Sequence, residues 1–225
     1  MKLFLNQIQT TSEEIVQQKT LSIIDLMTSG GVGGNIIMSF LGILSLISVY
    51  ILIERLLMIS RSNQEPVDLV KNINNLVNKK EISEAIKICH KEDSIIARMI
   101  EKGLKRIGHS FNEIHAAMEN QGKLEVNKLE KNLTNLATIS GAAPMIGFLG
   151  TVIGMILAFH EMASSGGNID VEMLSRGIYT AMITTVAGLI VGIISFISYN
   201  FLLSRIDKIT FRMENETSEF LNNLE

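Results

Sequence analysis

The chain is short of the residues that do chemistry. Its 225 residues include no Trp, one Cys, two Pro and three Tyr. The single Cys89 excludes an internal disulfide, and no second Cys stands at metal-ligand spacing, so a buried structural thiol is the expectation. A formal net charge of −3 argues against nucleic acid as a partner. There is no Ser-His-Asp order, nucleophile elbow or nucleotide fingerprint to support an enzyme, and neither cofactor nor metal is expected. Gly30, Gly31, Gly33 and Gly34 match a phosphate loop only in glycine count, because no Lys-Ser/Thr follows and no strand precedes them. His90, His109, His115 and His160 lack Cys or carboxylate neighbours at metal spacing and are expected on the surface. No alternating apolar runs lie between turn residues, which removes the strand signal and leaves an all-α fold.

The most informative absence is local. Residues 26–53, 132–159 and 177–204 contain no Asp, Glu, Lys, Arg or His, and each window is 28 residues long. As helices each would reach roughly 42 Å, against a hydrocarbon core of about 30 Å. Three transmembrane helices follow. Lys and Arg then set the orientation: fourteen fall in 54–131 and three in 205–225, against two before the first window and one in 160–176. The positive-inside rule places 54–131 and the tail in the cytoplasm, with the N-terminus and residues 160–176 in the periplasm.

What is present can be read in chain order. Residues 1–34 lack a secretory h-region, because Lys2 is followed by only three apolar residues. Thr11 with Glu14 makes a capping box, and the apolar cluster Leu21, Ile23, Ile24, Leu26 and Met27 reads as an interfacial amphipathic helix or, alternatively, a soluble periplasmic arm. The glycines 30–34 are expected to break that helix. Transmembrane helix 1 occupies 35–54 and ends at Glu54-Arg55; it has few small residues and should face lipid. The segment 55–131 reads as a cytoplasmic helical domain. It has Pro66 at a helix start, a second helix after Lys79-Lys80, a cap at Asp93 or Ser94, a stop at Gly108 and a capping box of Ser110 with Glu113. From Phe111 to Phe159 there is no firm stop, so one long helix is expected to run from the cytoplasm through transmembrane helix 2, 132–159. Transmembrane helix 3, 177–204, should continue into the cytoplasm as an amphipathic helix over 205–225, packed on 111–131.

The two later spans carry stripes of small residues. Ser140, Pro144, Gly147, Thr151, Gly154 and Ala158 recur at helical spacing. In the third span Gly177, Ala181, Thr184, Gly188, Gly192 and Ser195 do the same, with Thr180 and Thr185 beside them. Gly150 with Gly154, and Gly188 with Gly192, are GxxxG pairs. Small side chains let helix backbones touch where lipid provides no hydrophobic drive for association. Pro144 removes the hydrogen bond to the Ser140 carbonyl, which makes either a packing kink or a polar point on a pathway. Ionisable residues in a membrane mark ion paths, and these windows have none. They offer hydroxyls instead: Thr151, Thr180, Thr184 and Thr185, each able to donate and accept. Such hydroxyls either bond a carbonyl one turn back or line a wet or partner-filled centre.

The run Ala143-Pro144-Met145-Ile146-Gly147-Phe148-Leu149-Gly150-Thr151-Val152-Ile153-Gly154-Met155 resembles the second-span signature of the ExbB/TolQ/MotA proton-channel family. Ser22-Ile23-Ile24-Asp25-Leu26, Ile53-Glu54-Arg55, Leu133 to Ser140 and Gly177 to Asn200 resemble its ExbB/TolQ branch. The resemblance implies an inner-membrane homopentamer of three-span subunits with a periplasmic N-terminus. An ExbD/TolR-like single-span protein would enter the central pore and supply an aspartate as proton carrier. Proton flow would then drive motion passed to the outer membrane through a TonB- or TolA-like protein. It also implies that Thr151 and Thr185 face the partner's aspartate; the hydroxyl pattern itself adds Thr180 and Thr184 as pore-lining residues, and the small-residue stripes put Pro144, Gly147, Gly150, Gly154, Gly188 and Gly192 at the helix packing around the pore. The chain departs from the family at Thr180, where ExbB and TolQ carry a glutamate. An ExbB-like role is the first reading; a TolQ-like or gliding-type motor and a non-conducting scaffold are the alternatives.

Overall fold

Residues 31–53, 133–159 and 177–204 of the uncharged windows lie within long helices, because a backbone in lipid must satisfy its own N–H and C=O groups. The computed structural model describes residues 31–62, 69–92, 94–164 and 171–224. In order these form α1 (Gly31–Ser62), α2 (Leu69–Asn78), α3 (Ile82–Lys91), α4 (Ile95–Leu104), α5 (Phe111–Glu130), α6 (Leu133–Ser164) and α7 (Val171–Asn222). No strand forms among the described residues; Ile107 and His109 make one isolated bridge. Three segments are long and apolar enough to cross a membrane: Gly33–Ser60, part of Phe111–Ser164 and part of Gly177–Asn222. The expected interfacial helix and capping box of residues 1–30 lie outside the described residues, as does Pro66.

Two expectations are corrected. Gly31, Gly33 and Gly34 are helical themselves and form the opening turns of α1, while Gly30 and the helix expected ahead of it lie outside the described residues. Their missing side chains are used for contact. A Cβ on Gly33 would stand 3.6 Å from Ile153 Cγ2, and one on Gly34 would stand 3.5 Å from Thr180 Cγ2. The run from Phe111 to Phe159 is not one helix. It is interrupted at Lys131 and Asn132, where Asn132 adopts a left-handed φ of 66°. Asn is among the few L-residues that tolerate that region, and it ends helices as glycine does. By contrast α7 runs unbroken for 52 residues, from the third span into its polar extension.

The chain divides into two compact units at Leu41/Gly42, Met145/Ile146 and Gly188/Leu189. The second unit holds the largest core. Short amphipathic helices build it: Val70 and Ile73 of α2, Ala85 and Cys89 of α3, and Ile96 and Ile100 of α4 pack with Met118 and Leu129 of α5 and Ile206, Met213 and Phe220 of α7. Ser94 caps α4 by accepting from the Ala97 amide at 3.1 Å. At α5 the Ser110 hydroxyl bonds the Glu113 carboxylate at 3.0 Å, a side-chain variant of the capping box. Lys80 and Gly108 turn the chain with φ of 62° and 101°. Methionines fill the space that glycines leave: a Cβ on Gly122 would lie 2.9 Å from Met99 Cε. The α7 extension joins this packing, with Met213 Cε 3.7 Å from the same position.

A chain of charges ties the base of α1 to the polar helices of the second unit. Arg55 is 3% exposed and donates to the Lys128 carbonyl at 2.9 Å. Lys128 in turn donates from Nζ to Glu125 at 2.9 Å. Glu125, also 3% exposed, accepts from Arg98 through Nε at 3.2 Å and Nη2 at 3.0 Å, and from Gln121 at 2.7 Å. Burial by itself would raise the Glu125 pKa, but the Arg98 and Lys128 donors outweigh it and hold the carboxyl below its ordinary value.

Candidate functional site

The small-residue stripes of α6 and α7 meet in the first unit. A Cβ on Gly147 would stand 2.7 Å from the Thr184 carbonyl oxygen, 3.0 Å from Gly188 Cα and 3.2 Å from Thr185 Cα. One turn on, a Cβ on Gly150 would collide with the Thr184 side chain. A Cβ on Gly154 would be 2.8 Å from Ala181 Cβ, and one on Gly177 would be 2.7 Å from Ala158 Cβ. The two helices therefore run antiparallel with backbones in contact, and the obstacle at Gly147 is main chain, which cannot swing away. In the second unit Gly192 does the same for the proline. Its Cβ would lie 2.5 Å from Pro144 Cγ and 3.1 Å from the Ser140 carbonyl oxygen, the group that Pro144 leaves without its usual helical donor.

Close approach brings the hydroxyls into range. Thr184, 1% exposed, donates to the Ala181 carbonyl at 2.7 Å and reaches the Gly147 carbonyl at 3.2 Å. Thr185 donates to the same Gly147 oxygen at 3.1 Å. One backbone carbonyl of α6 thus receives two hydroxyls from α7. Thr180 is buried. Thr151 is half-buried and donates to the Phe148 carbonyl of its own helix at 2.6 Å. The structure brings Thr184 and Thr185 together on one carbonyl and leaves Thr151 bonded within its own helix. In that state none of these three hydroxyls points its proton at solvent or a second subunit. Each can be released by a single χ1 rotation, at the cost of one modest hydrogen bond.

Sequence reading missed one polar contact. Ser48 of α1 and Ser195 of α7 are both buried in the second unit, with hydroxyl oxygens 2.8 Å apart. Ser195 also donates to the Val191 carbonyl at 2.8 Å, so the pair forms a relay from one helix to the other. The signal was a serine in an otherwise Leu- and Ile-rich span, which is weak alone.

Cys89 and the histidines behave as structural residues. Cys89 is 1% exposed, and burial first, then the Glu101 charge, pushes its thiol up to about 12. His90, His109 and His115 have largely exposed side chains that face Glu101, Glu113 and Glu119. No group of three or more metal-ligating side chains exists among the described residues.

Three long apolar helices, two of them pressed together through glycines and threonines and free of charged groups at the contact, indicate a multi-pass membrane protein. Residues 91–215 match the model of the MotA/TolQ/ExbB proton channel family. The chain is 31% identical over 186 residues to an ExbB-homologous biopolymer transport protein of Methanothermobacter thermautotrophicus, covering 83% of this chain and 64% of that one. It is 43% identical over 79 residues to the biopolymer transport protein ExbB of Helicobacter pylori, covering 35% of this chain and 54% of that one. It is 37% identical over 97 residues to the Tol-Pal system protein TolQ of Haemophilus influenzae, covering 43% and 42%. The chain spans about two thirds or less of the length of these relatives. It belongs to the MotA/TolQ/ExbB proton channel family, in the branch of ExbB and TolQ.

Proposed function

We propose that the chain is the ring-forming subunit of an inner-membrane proton-driven motor of the ExbB kind, energising TonB-dependent transport. It acts as a homopentamer with the N-terminus periplasmic, around an ExbD-like single-span partner. One observation carries the reading. The three windows hold no Asp, Glu, Lys, Arg or His, yet two of them hold Thr151, Thr180, Thr184 and Thr185 beside glycine stripes. A proton cannot be bound and released at mid-membrane by hydroxyls alone, so the acid must come from another chain. Thr185 and Thr151 are the hydroxyls that would leave their carbonyls to bond that acid, while Thr184 and the glycines hold the helix pair. The ExbB and TolQ relatives match different shares of the chain, and a TolQ-like or gliding-type motor is the second reading.

The test is reconstitution with the partner in liposomes under a pH gradient. The channel reading expects dissipation that Thr151→Val and Thr185→Val slow and that replacing the partner's aspartate abolishes. A complex that forms but conducts no protons would establish the scaffold reading instead.

A further inference from the structure

A second site stands apart from the threonines, at the end of the spans that carries the polar helices. In the second unit α1 presents Leu56, Ile59 and Ser60 at helical spacing, and α7 presents Phe201, Arg205 and Lys208. With Ile209 they enclose a cavity of about 300 Å³, large enough for a small ligand group. Its floor is apolar, with Ile59 6% and Ile209 8% exposed. Leu56 and Phe201 continue it onto the exposed apolar surface of the two helices. Its polar groups are two cations and one hydroxyl, and no Asp or Glu lines it. Arg205 lies over the Phe201 ring, 5.2 Å from the centroid, and neither Arg205 nor Lys208 pairs with a carboxylate among the described residues.

We infer that this cavity binds the headgroup of an anionic phospholipid, one per chain. The phosphodiester sits between Arg205, Lys208 and the Ser60 hydroxyl, and the acyl chains run along Leu56 and Phe201. The chemistry favours this occupant. Lys87, Lys105 and Lys123 have carboxylates within 3.0 Å, and Lys79 and Lys102 are exposed without one among the described residues; Arg205 and Lys208 differ from both groups in lining one cavity with an apolar floor. These two cations at the polar boundary of apolar helices have no carboxylate partner among the described residues. The surface of an anionic leaflet supplies a counter-ion, with attraction of about 1 kcal/mol per cation. An acidic peptide would satisfy the charges but not the apolar half that opens to lipid, and a soluble phosphate would leave that half wet. The inference rests on the membrane-spanning helices alone and does not depend on proton conduction.

The full chain, purified in detergent, is titrated with phosphatidylglycerol or phosphatidylcholine and read by native mass spectrometry. The expected result is one tightly held phosphatidylglycerol per chain, with phosphatidylcholine bound at least tenfold more weakly. Arg205→Gln with Lys208→Gln should weaken phosphatidylglycerol roughly thirtyfold, from two cations at about 1 kcal/mol each. Arg205→Lys should keep most of the affinity, and Lys79→Gln with Lys102→Gln, at exposed positions outside the cavity, should leave it unchanged. Equal binding of the two lipids, retention by the double variant, an equal loss in the Lys79/Lys102 control, or displacement by millimolar inorganic phosphate would each overturn the assignment.

Discussion

Thr185 donates its hydroxyl to the carbonyl of Gly147 at 3.1 Å, across the closest approach of α6 and α7. Thr184 reaches the same oxygen at 3.2 Å while keeping its shorter bond to Ala181. The carbonyl is doubly served. If Thr185 turns away, Gly147 still has a hydroxyl partner, so a movable hydroxyl costs the helix pair little. Interhelical hydrogen bonds in membranes average about 0.6 kcal/mol. Thr185→Val should therefore lower stability by about that amount, whereas Thr184→Val should cost more, because the Thr184 side chain also fills the space above Gly150. Thermal melts of the two variants in detergent check the order.

Gly147→Ala should be the most damaging of the single-methyl additions. Its Cβ meets the Thr184 carbonyl and Gly188 Cα, and backbone cannot repack. Overpacking of this kind costs about 1–3 kcal/mol. Gly141→Ala is the control: nothing lies within 4 Å of its Cβ, and the change should be neutral or slightly stabilising. Equal melting temperatures for the two variants would refute the backbone contact.

Glu125 is the hinge of the charge network, and its loss should loosen the polar helices. Glu125→Gln removes the charge that Arg98 and Lys128 share, at about 1–3 kcal/mol, discounted because both cations are partly exposed. The pH dependence has a definite sign. Its folded pKa is depressed, so its contribution is present above the ordinary carboxylate value of 4.5 and is lost as pH falls through the folded value. Glu101, held down first by its hydrogen bond to Lys105, behaves alike. Acid titration followed by helical circular dichroism should show destabilisation below about pH 4.5, with a shallower slope in Glu125→Gln.

Cys89 should be inert. Its thiol is buried and titrates near 12, so almost no thiolate exists at neutral pH. A maleimide should label it only after denaturation. Rapid labelling of the native protein would show that α3 opens locally from the core.

The elements that read clearly from sequence are those where one physical demand dominates. The three windows without charge became the apolar segments of α1, α6 and α7, because lipid admits little else. The third-span stripe from Gly177 to Ser195 turned inward at nearly every position, because period and residue size agreed. Asn132 was illegible because one left-handed residue ends a helix without changing the hydrophobic pattern. Gly31, Gly33 and Gly34 misled for the opposite reason: glycine both breaks helices and lets them touch, and the choice depends on what lies across the gap.

By itself the amino-acid order determined that the chain has three segments long and apolar enough to cross a membrane, that their uncharged windows hold no Asp, Glu, Lys, Arg or His, and that two of them carry small residues along one side. These follow from transfer free energies and helical periodicity, which are properties of a segment alone. Only the tertiary structure decided that Thr184 and Thr185 share one carbonyl, that Ser48 meets Ser195, and that Arg205 and Lys208 share a cavity with α1. Each of these joins residues tens of positions or more apart. Such a meeting depends on how two helix surfaces interlock, and no single helix encodes that.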